Sequence, residues 1–156
     1  MTLTPDEAAK FLKEEKKKLL LAGSLCPTLE VGGKKLLDYV VEIAKLTDTP
    51  IAATGSTMFN LKDNQEIKAK KMMAADLVNF LRAEKWEEPI TVERPELLVL
   101  FGYYPDIARM LISTVRSGKT MILDNRYMDG ATYSAPDLSF TEWAEFLNKL
   151  IDNLKK

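Results

Sequence analysis

A doubly wound parallel α/β sheet, three layers deep as α/β/α, is the fold class that this 156-residue sequence predicts. Three observations carry the prediction. Short runs at residues 19–22, 51–54, 97–101 and 120–123 are apolar almost throughout, as strands covered on both faces must be. Segments between them repeat their apolar residues at helical spacing. Glycine stops three of the four runs, at Gly23, Gly55 and Gly102. Alternation of strand and helix is the pattern of a parallel sheet with helices on both faces.

The elements follow in order. Thr4-Pro5-Asp6-Glu7 sets a helix start: Thr4 caps, Pro5 suits the first turn and Glu7 completes a capping box. Ala8, Phe11 and Leu12 mark its buried face. Its end is expected within Lys16-Lys17-Lys18, read as a solvated helix end whose charges suit the dipole. After the strand at 19–22, a helix is expected over 34–46 through Leu36, Leu37, Val40, Val41, Ile43 and Ala44. Pro50 opens the strand at 51–54, where its missing N–H does least harm. This strand–helix–strand unit should cross over right-handed.

A polar turn at 60–64 and a helix over roughly 67–83, with Met72, Met73, Leu77, Phe80 and Leu81 as its apolar members, come next. Residues 86–96 hold two prolines and read as loop, with a short edge strand at 90–92. The strand at 97–101 leads to a helix over 107–115, which Gly118 ends before the strand at 120–123. Residues 131–134 suggest a short edge strand, and Ser139 with Glu142 forms a second capping box, with Leu138 and Trp143 at the staple positions. No linker or repeat divides the chain, so residues 1–156 read as one nucleotide-binding-type domain.

Composition narrows the chemistry. Net charge is −1, so no basic field favours nucleic acid or anionic lipid. No apolar stretch approaches the ~18 residues of a membrane span, and the first ten residues hold no signal-peptide core. The cytoplasm is the simplest location. The chain has no histidine and one cysteine, Cys26. That removes Ser-His-Asp and Cys-His catalysis, nearly excludes a zinc site, and denies the chain its own cysteine-held iron–sulfur cluster.

In a doubly wound sheet, ligands bind beyond the carboxyl ends of the strands, at the switch point in strand order. Those ends supply the candidate cofactor rim: Gly23, Ser24, Thr54, Gly55, Ser56, Gly102 and Tyr103. Glycine lets a backbone approach a phosphate, and hydroxyls can help hold it. Short turns use glycine anyway, and neither G-x-G-x-x-G nor G-x-x-x-x-G-K-[ST] occurs. Tyr103 and Tyr104 could stack on a flavin or nucleotide ring, anchor a partner, or pack internally. Asp124 and Arg126 either pair with each other or hold a ribose and a phosphate, the internal pair being favoured. Cys26 reads as packing ahead of a redox or ligand role.

Two resemblances add to this. KLLLAGSL and LLDYVVEIAKLTDTPIAATGS are similar to the central domain of thiamine-diphosphate enzymes and to deoxyhypusine synthase, which implies a Rossmann-like fold. TPDEAAK, PIAATGS, the helix leading into LRAEKW and above all RYMDGATYSAPDLS resemble the epsilon subunit family of the archaeal acetyl-CoA decarbonylase/synthase complex. The resemblance implies an accessory subunit of the carbon monoxide dehydrogenase component. A large alpha subunit would carry the nickel–iron and iron–sulfur clusters, in an alpha-two epsilon-two assembly. Its own role would be structural, or would help pass electrons to FAD, held across the candidate rim. Self-association is expected when the chain is alone. The rival expectations are a free-standing flavin- or nicotinamide-binding oxidoreductase and a general nucleotide- or coenzyme-A-binding module.

Overall fold

The computed structural model describes residues 1–61, 66–86, 90–91, 93–115 and 117–156. The chain runs α1 (Pro5–Glu14), β1 (Lys18–Ala22), β2 (Glu30–Val31), β3 (Lys34–Lys35), α2 (Leu36–Thr47), β4 (Ile51–Ala53) and α3 (Gly55–Leu61). It continues through β5 (Ala69–Lys71), α4 (Ala74–Arg82), β6 (Leu97–Phe101), α5 (Pro105–Ser113), β7 (Lys119–Ile122), β8 (Tyr133–Ser134) and α6 (Phe140–Leu154).

Among the described residues six parallel strands form one sheet in the order β5-β4-β1-β6-β7-β8. Counted along the chain this is third, second, first, fourth, fifth and sixth, so the Rossmann-like double winding reverses between β1 and β6. The period-2 alternation of β1 divides its leucines between two cores. Leu20 and Ala22 join α1, α2 and α6 on one face; Leu19 and Leu21 join α4 and α5 on the other. All five β1 residues and all five of β6 are buried, as the continuous apolar runs predict. Each leucine so placed contributes about 1.5–3 kcal/mol.

Both capping boxes form as expected. Thr4 Oγ1 accepts from Glu7 N–H at 3.2 Å, and Ser139 Oγ accepts from Glu142 N–H at 3.1 Å. The indole N–H of Trp143 then donates to the Leu123 carbonyl at 2.9 Å and ties α6 to the end of β7.

Five local expectations need correction. The lysine run is not a helix end: α1 stops at Glu14, and Lys18 opens β1, buried, with its ammonium on the Glu15 carbonyl at 2.6 Å. Lys34 and Lys35 belong to a hairpin, not to α2. Gly32 and Gly33, at φ 60 and 81, make its turn, and the Tyr39 hydroxyl bonds the Val31 carbonyl at 2.8 Å behind it. The polar turn at 60–64 overlaps the last turn of α3, a short helix begun by the strand-end Gly55, the rest of that turn lying outside the described residues. Residues 69–71 are the edge strand β5, because Met72 is buried by the end of a strand rather than by a helix face: its N–H donates to the Ala53 carbonyl at 2.8 Å. The short edge strand expected at 90–92 is not formed by Ile90 and Thr91, which lie in a turn and a bend; Val92 lies outside the described residues. The edge strand expected at 131–134 is β8, and the main chain at Thr2 bridges to its Ser134.

At the switch point β1 and β6 close on each other through two glycines. A Cβ on Gly23 would overlap the Gly102 carbonyl and lie 2.7 Å from Cγ of Tyr103. Gly102 has φ +70, and its Cβ would lie 2.5 Å from Cys26 Sγ. We expect Gly102→Ala to cost about 2–4 kcal/mol through strain and overlap. At ~2–4 °C per kcal/mol for a chain of this size, the midpoint of thermal unfolding followed by circular dichroism should fall by roughly 5–15 °C. Gly55→Ala should leave it unchanged or slightly raised, since the added methyl meets only the Lys71 side chain, at 3.4 Å.

Candidate functional site

The parallel strands bring all the predicted rim residues to one edge of the sheet. Gly23, Gly102 and Tyr103 are buried there, Thr54 and Gly55 are half-buried, and Ser24 and Ser56 are exposed. What joins them is packing. Gly23 N–H donates to the Phe101 carbonyl at 2.8 Å, and Thr54 N–H to the Ala22 carbonyl at 3.1 Å. The sequence reading missed the residue that locks the two glycine turns together: Thr57, wholly buried, donates its hydroxyl to the Gly23 carbonyl at 2.8 Å and accepts from the Thr54 hydroxyl at 3.1 Å. A hydroxyl one turn beyond a strand end was the available signal.

A dinucleotide needs free amides and a helix N-terminus directly after the first strand. Here residues 24–28 form consecutive turns in which Pro27 has no N–H and three of the other four amides are spent: Leu25 N–H on Gly102 O at 2.9 Å, Cys26 N–H on Gly23 O at 3.2 Å and Thr28 N–H on Leu25 O at 3.3 Å. The hairpin β2–β3 intervenes before α2 begins at Leu36. Gly102 N–H is taken by the Asp124 carboxyl, at 2.9 and 3.2 Å to its two oxygens. The candidate rim therefore does not fit the pyrophosphate of FAD or of a nicotinamide dinucleotide.

Beside the switch point the same edge opens into a cleft of about 410 Å³ beyond β6 and β7. Gly102, Tyr103, Pro105, Asp124, Arg126 and Tyr127 are among its lining residues, with Leu25, Leu29, Met128 and Trp143 as apolar walls. The RYMDGATYSAPDLS motif builds one wall by bonding to itself. Tyr127 N–H donates to Asp137 at 2.9 Å, Met128 N–H to the Ser134 hydroxyl at 3.0 Å, and Leu138 N–H to the Asn125 carbonyl at 2.9 Å. Thr120 and Thr132 exchange backbone N–H and side-chain oxygen at 3.1 and 3.0 Å and hold its far end.

One feature of the cleft differs from the favoured reading and one matches a reading left open. Asp124 and Arg126 do not pair: Asp124 faces Gly102, and the exposed Arg126 has no hydrogen bond or ion pair among the described residues. Tyr103 packs internally, and its hydroxyl is the buried side-chain polar atom that lacks a hydrogen-bond partner among the described residues. Burial pushes the Tyr103 phenol well above its ordinary range. Cys26 is packing: burial raises its thiol, which contacts the Phe101 carbonyl at 3.4 Å. Asp124 keeps part of its surface open to the cleft, yet protein packs densely about the carboxyl. That burial pushes it up to about 7, and the Gly102 N–H opposes the shift only in part. Among the described residues no group of three or more acidic or cysteine side chains could hold a metal, and no helix is long and apolar enough to cross a membrane.

Fold and site thus define a Rossmann-like α/β domain in which the strand-end glycines at the switch point form a packing joint. No family model matches the chain. It is 32% identical over 156 residues to acetyl-CoA decarbonylase/synthase complex subunit epsilon 1 of Methanosarcina barkeri, covering 98% of this chain and 88% of that protein. Epsilon 2 of Methanosarcina mazei is 30% identical with the same coverage. The epsilon subunit of Methanothermobacter thermautotrophicus is 25% identical over 154 residues, 96% of this chain and 86% of that one. The chain belongs to the acetyl-CoA decarbonylase/synthase epsilon subunit family, as its motifs indicated.

The Asp124 environment yields a pH prediction. A carboxyl raised from 3.8 to about 7 binds more protons folded than unfolded, so its effect on stability turns unfavourable as pH climbs from ~4 through ~7 and is constant above. Asp124→Asn keeps an acceptor for Gly102 N–H and cannot ionise. Relative to the parent it should gain on the order of 1–2 kcal/mol between pH 5 and pH 8, after discounting for the open side of the cleft. Urea denaturation of both proteins across that range measures the difference.

Proposed function

We propose that this chain is a non-catalytic subunit that docks on the metal-bearing carbon monoxide dehydrogenase subunit of an acetyl-CoA decarbonylase/synthase complex and stabilises it, in an alpha-two epsilon-two arrangement. Family membership supports the complex. The observation that carries the docking surface is that four of the eight exposed large apolar side chains among the described residues lie along one edge of the sheet. Met73, Tyr104, Tyr127 and Phe140 follow the carboxyl ends of β5, β6, β7 and β8 in turn, at 47%, 59%, 42% and 50% exposure. Aromatic and methionine side chains are enriched at interface cores. A free-standing oxidoreductase would need the phosphate cradle that the loop after β1 lacks, so the reading gives this chain no flavin of its own.

Mixed with the large subunit, the chain should form a stoichiometric complex in native mass spectrometry. Tyr104→Ala combined with Tyr127→Ala should weaken that complex by about tenfold or more, while the thermal midpoint of the free chain stays put. A spectrum of separate species only, with the parent chain, would overturn the proposal.

A further inference from the structure

We propose that the cleft beyond β6 and β7 binds a small organic anion: one ring or a short chain carrying a carboxylate or phosphate, its acidic group held by Arg126 and Arg109 at the mouth and its apolar part lying on Leu25, Leu29 and Met128.

Size and lining set the ligand class. About 410 Å³ is at the lower end of small-molecule sites, room for one ring system with an acid group. Its walls are mostly apolar, with few polar groups converging on them, the usual composition of a site that orients a ligand.

Charge sets the orientation. Arg126 brings five N–H donors in a planar fork, and none is engaged among the described residues. Arg109 touches Asp106 through one nitrogen only, at 3.4 Å on the exposed surface. A planar fork matches the paired oxygens of a carboxylate or phosphate. The helix α5 begins at the same mouth with Pro105, and its N-cap residue Tyr104 supplies no side-chain bond, so the positive end of the helix dipole lies near the mouth. Asp106 in that turn offsets part of this charge.

The inner end is different. Asp124, half-buried where the arginines are exposed, is already bonded to Gly102, and its carboxyl disfavours a second acid there. The acidic group is therefore kept at the mouth and the apolar part directed inward.

The test is calorimetric titration of the full chain with adenosine monophosphate, benzoate and inorganic phosphate in separate runs. At least one of the two ring compounds should saturate below about 1 mM. Arg126→Gln should weaken it about tenfold, Arg126→Lys should restore only part of the loss, and Ser56→Ala on the neighbouring rim should change nothing. Arg126 is exposed, so these variants keep the fold. Binding by adenosine monophosphate but not benzoate identifies a phosphate as the acidic group, and the reverse a carboxylate. The proposal is overturned if neither ring compound saturates, if Arg126→Gln binds as the parent does, or if Ser56→Ala weakens binding as much as Arg126→Gln.

Discussion

The contact between Gly23 and Gly102 is the constraint on which the rest of this molecule depends. β1 and β6 are the two strands flanking the reversal of the sheet, and each ends in a glycine pressed against the other. In a doubly wound fold these two ends normally splay and leave a crevice. Here no side chain fits between them. The loop after β1 folds back over β6, Leu25 bonding to Gly102, while Cys26 and Tyr103 fill the space that a ligand's phosphates would need. Thr57 extends the joint to β4 through the Gly23 carbonyl. Three strand ends are thereby locked into one unit.

Closing the crevice moves the useful surface sideways. With the amides of Gly23, Leu25, Cys26 and Thr28 engaged and α2 delayed by the β2–β3 hairpin, the edge above β1 has few donors and no helix end to offer a ligand. One strand along, Asp124 follows the end of β7, and the segment from Asn125 to Leu138, which includes β8, is tied by its own hydrogen bonds. The cleft adjoins the joint: Asp124 braces Gly102 in its left-handed conformation and also lines the cleft. Helix α6, anchored through Trp143 to Leu123, forms the back wall.

How far the sequence revealed this varied with the kind of signal. The central strands were plain, because burial on both faces leaves an uninterrupted apolar run such as LLVLF. Helix starts at Thr4 and Ser139 were equally plain, since capping boxes are local chemistry. β5 was hidden: Ala69-Lys70-Lys71 carries edge-strand charges and lies beside Met72 and Met73, whose spacing imitates the helix that follows. The hairpin was announced by Gly32-Gly33 but was absorbed into the periodicity of α2. For the site, sequence placed the right residues on the right edge and could not say which way their amides turn. Whether a strand-end glycine cradles a phosphate or admits a neighbouring backbone is decided by its opposite partner, and Gly102 is 79 residues from Gly23, beyond any local pattern.

The two borders of the sheet complete the picture. On one side the chain's first residues lie along β8 through the Thr2 bridge, so that border is occupied. On the other, β5 is only three residues long and presents Lys70 and Lys71 to solvent. A short, lysine-bearing border is a poor template for another strand. Sheet-to-sheet polymerisation is thus discouraged at both ends, which leaves side chains rather than backbone as the surface open to contact.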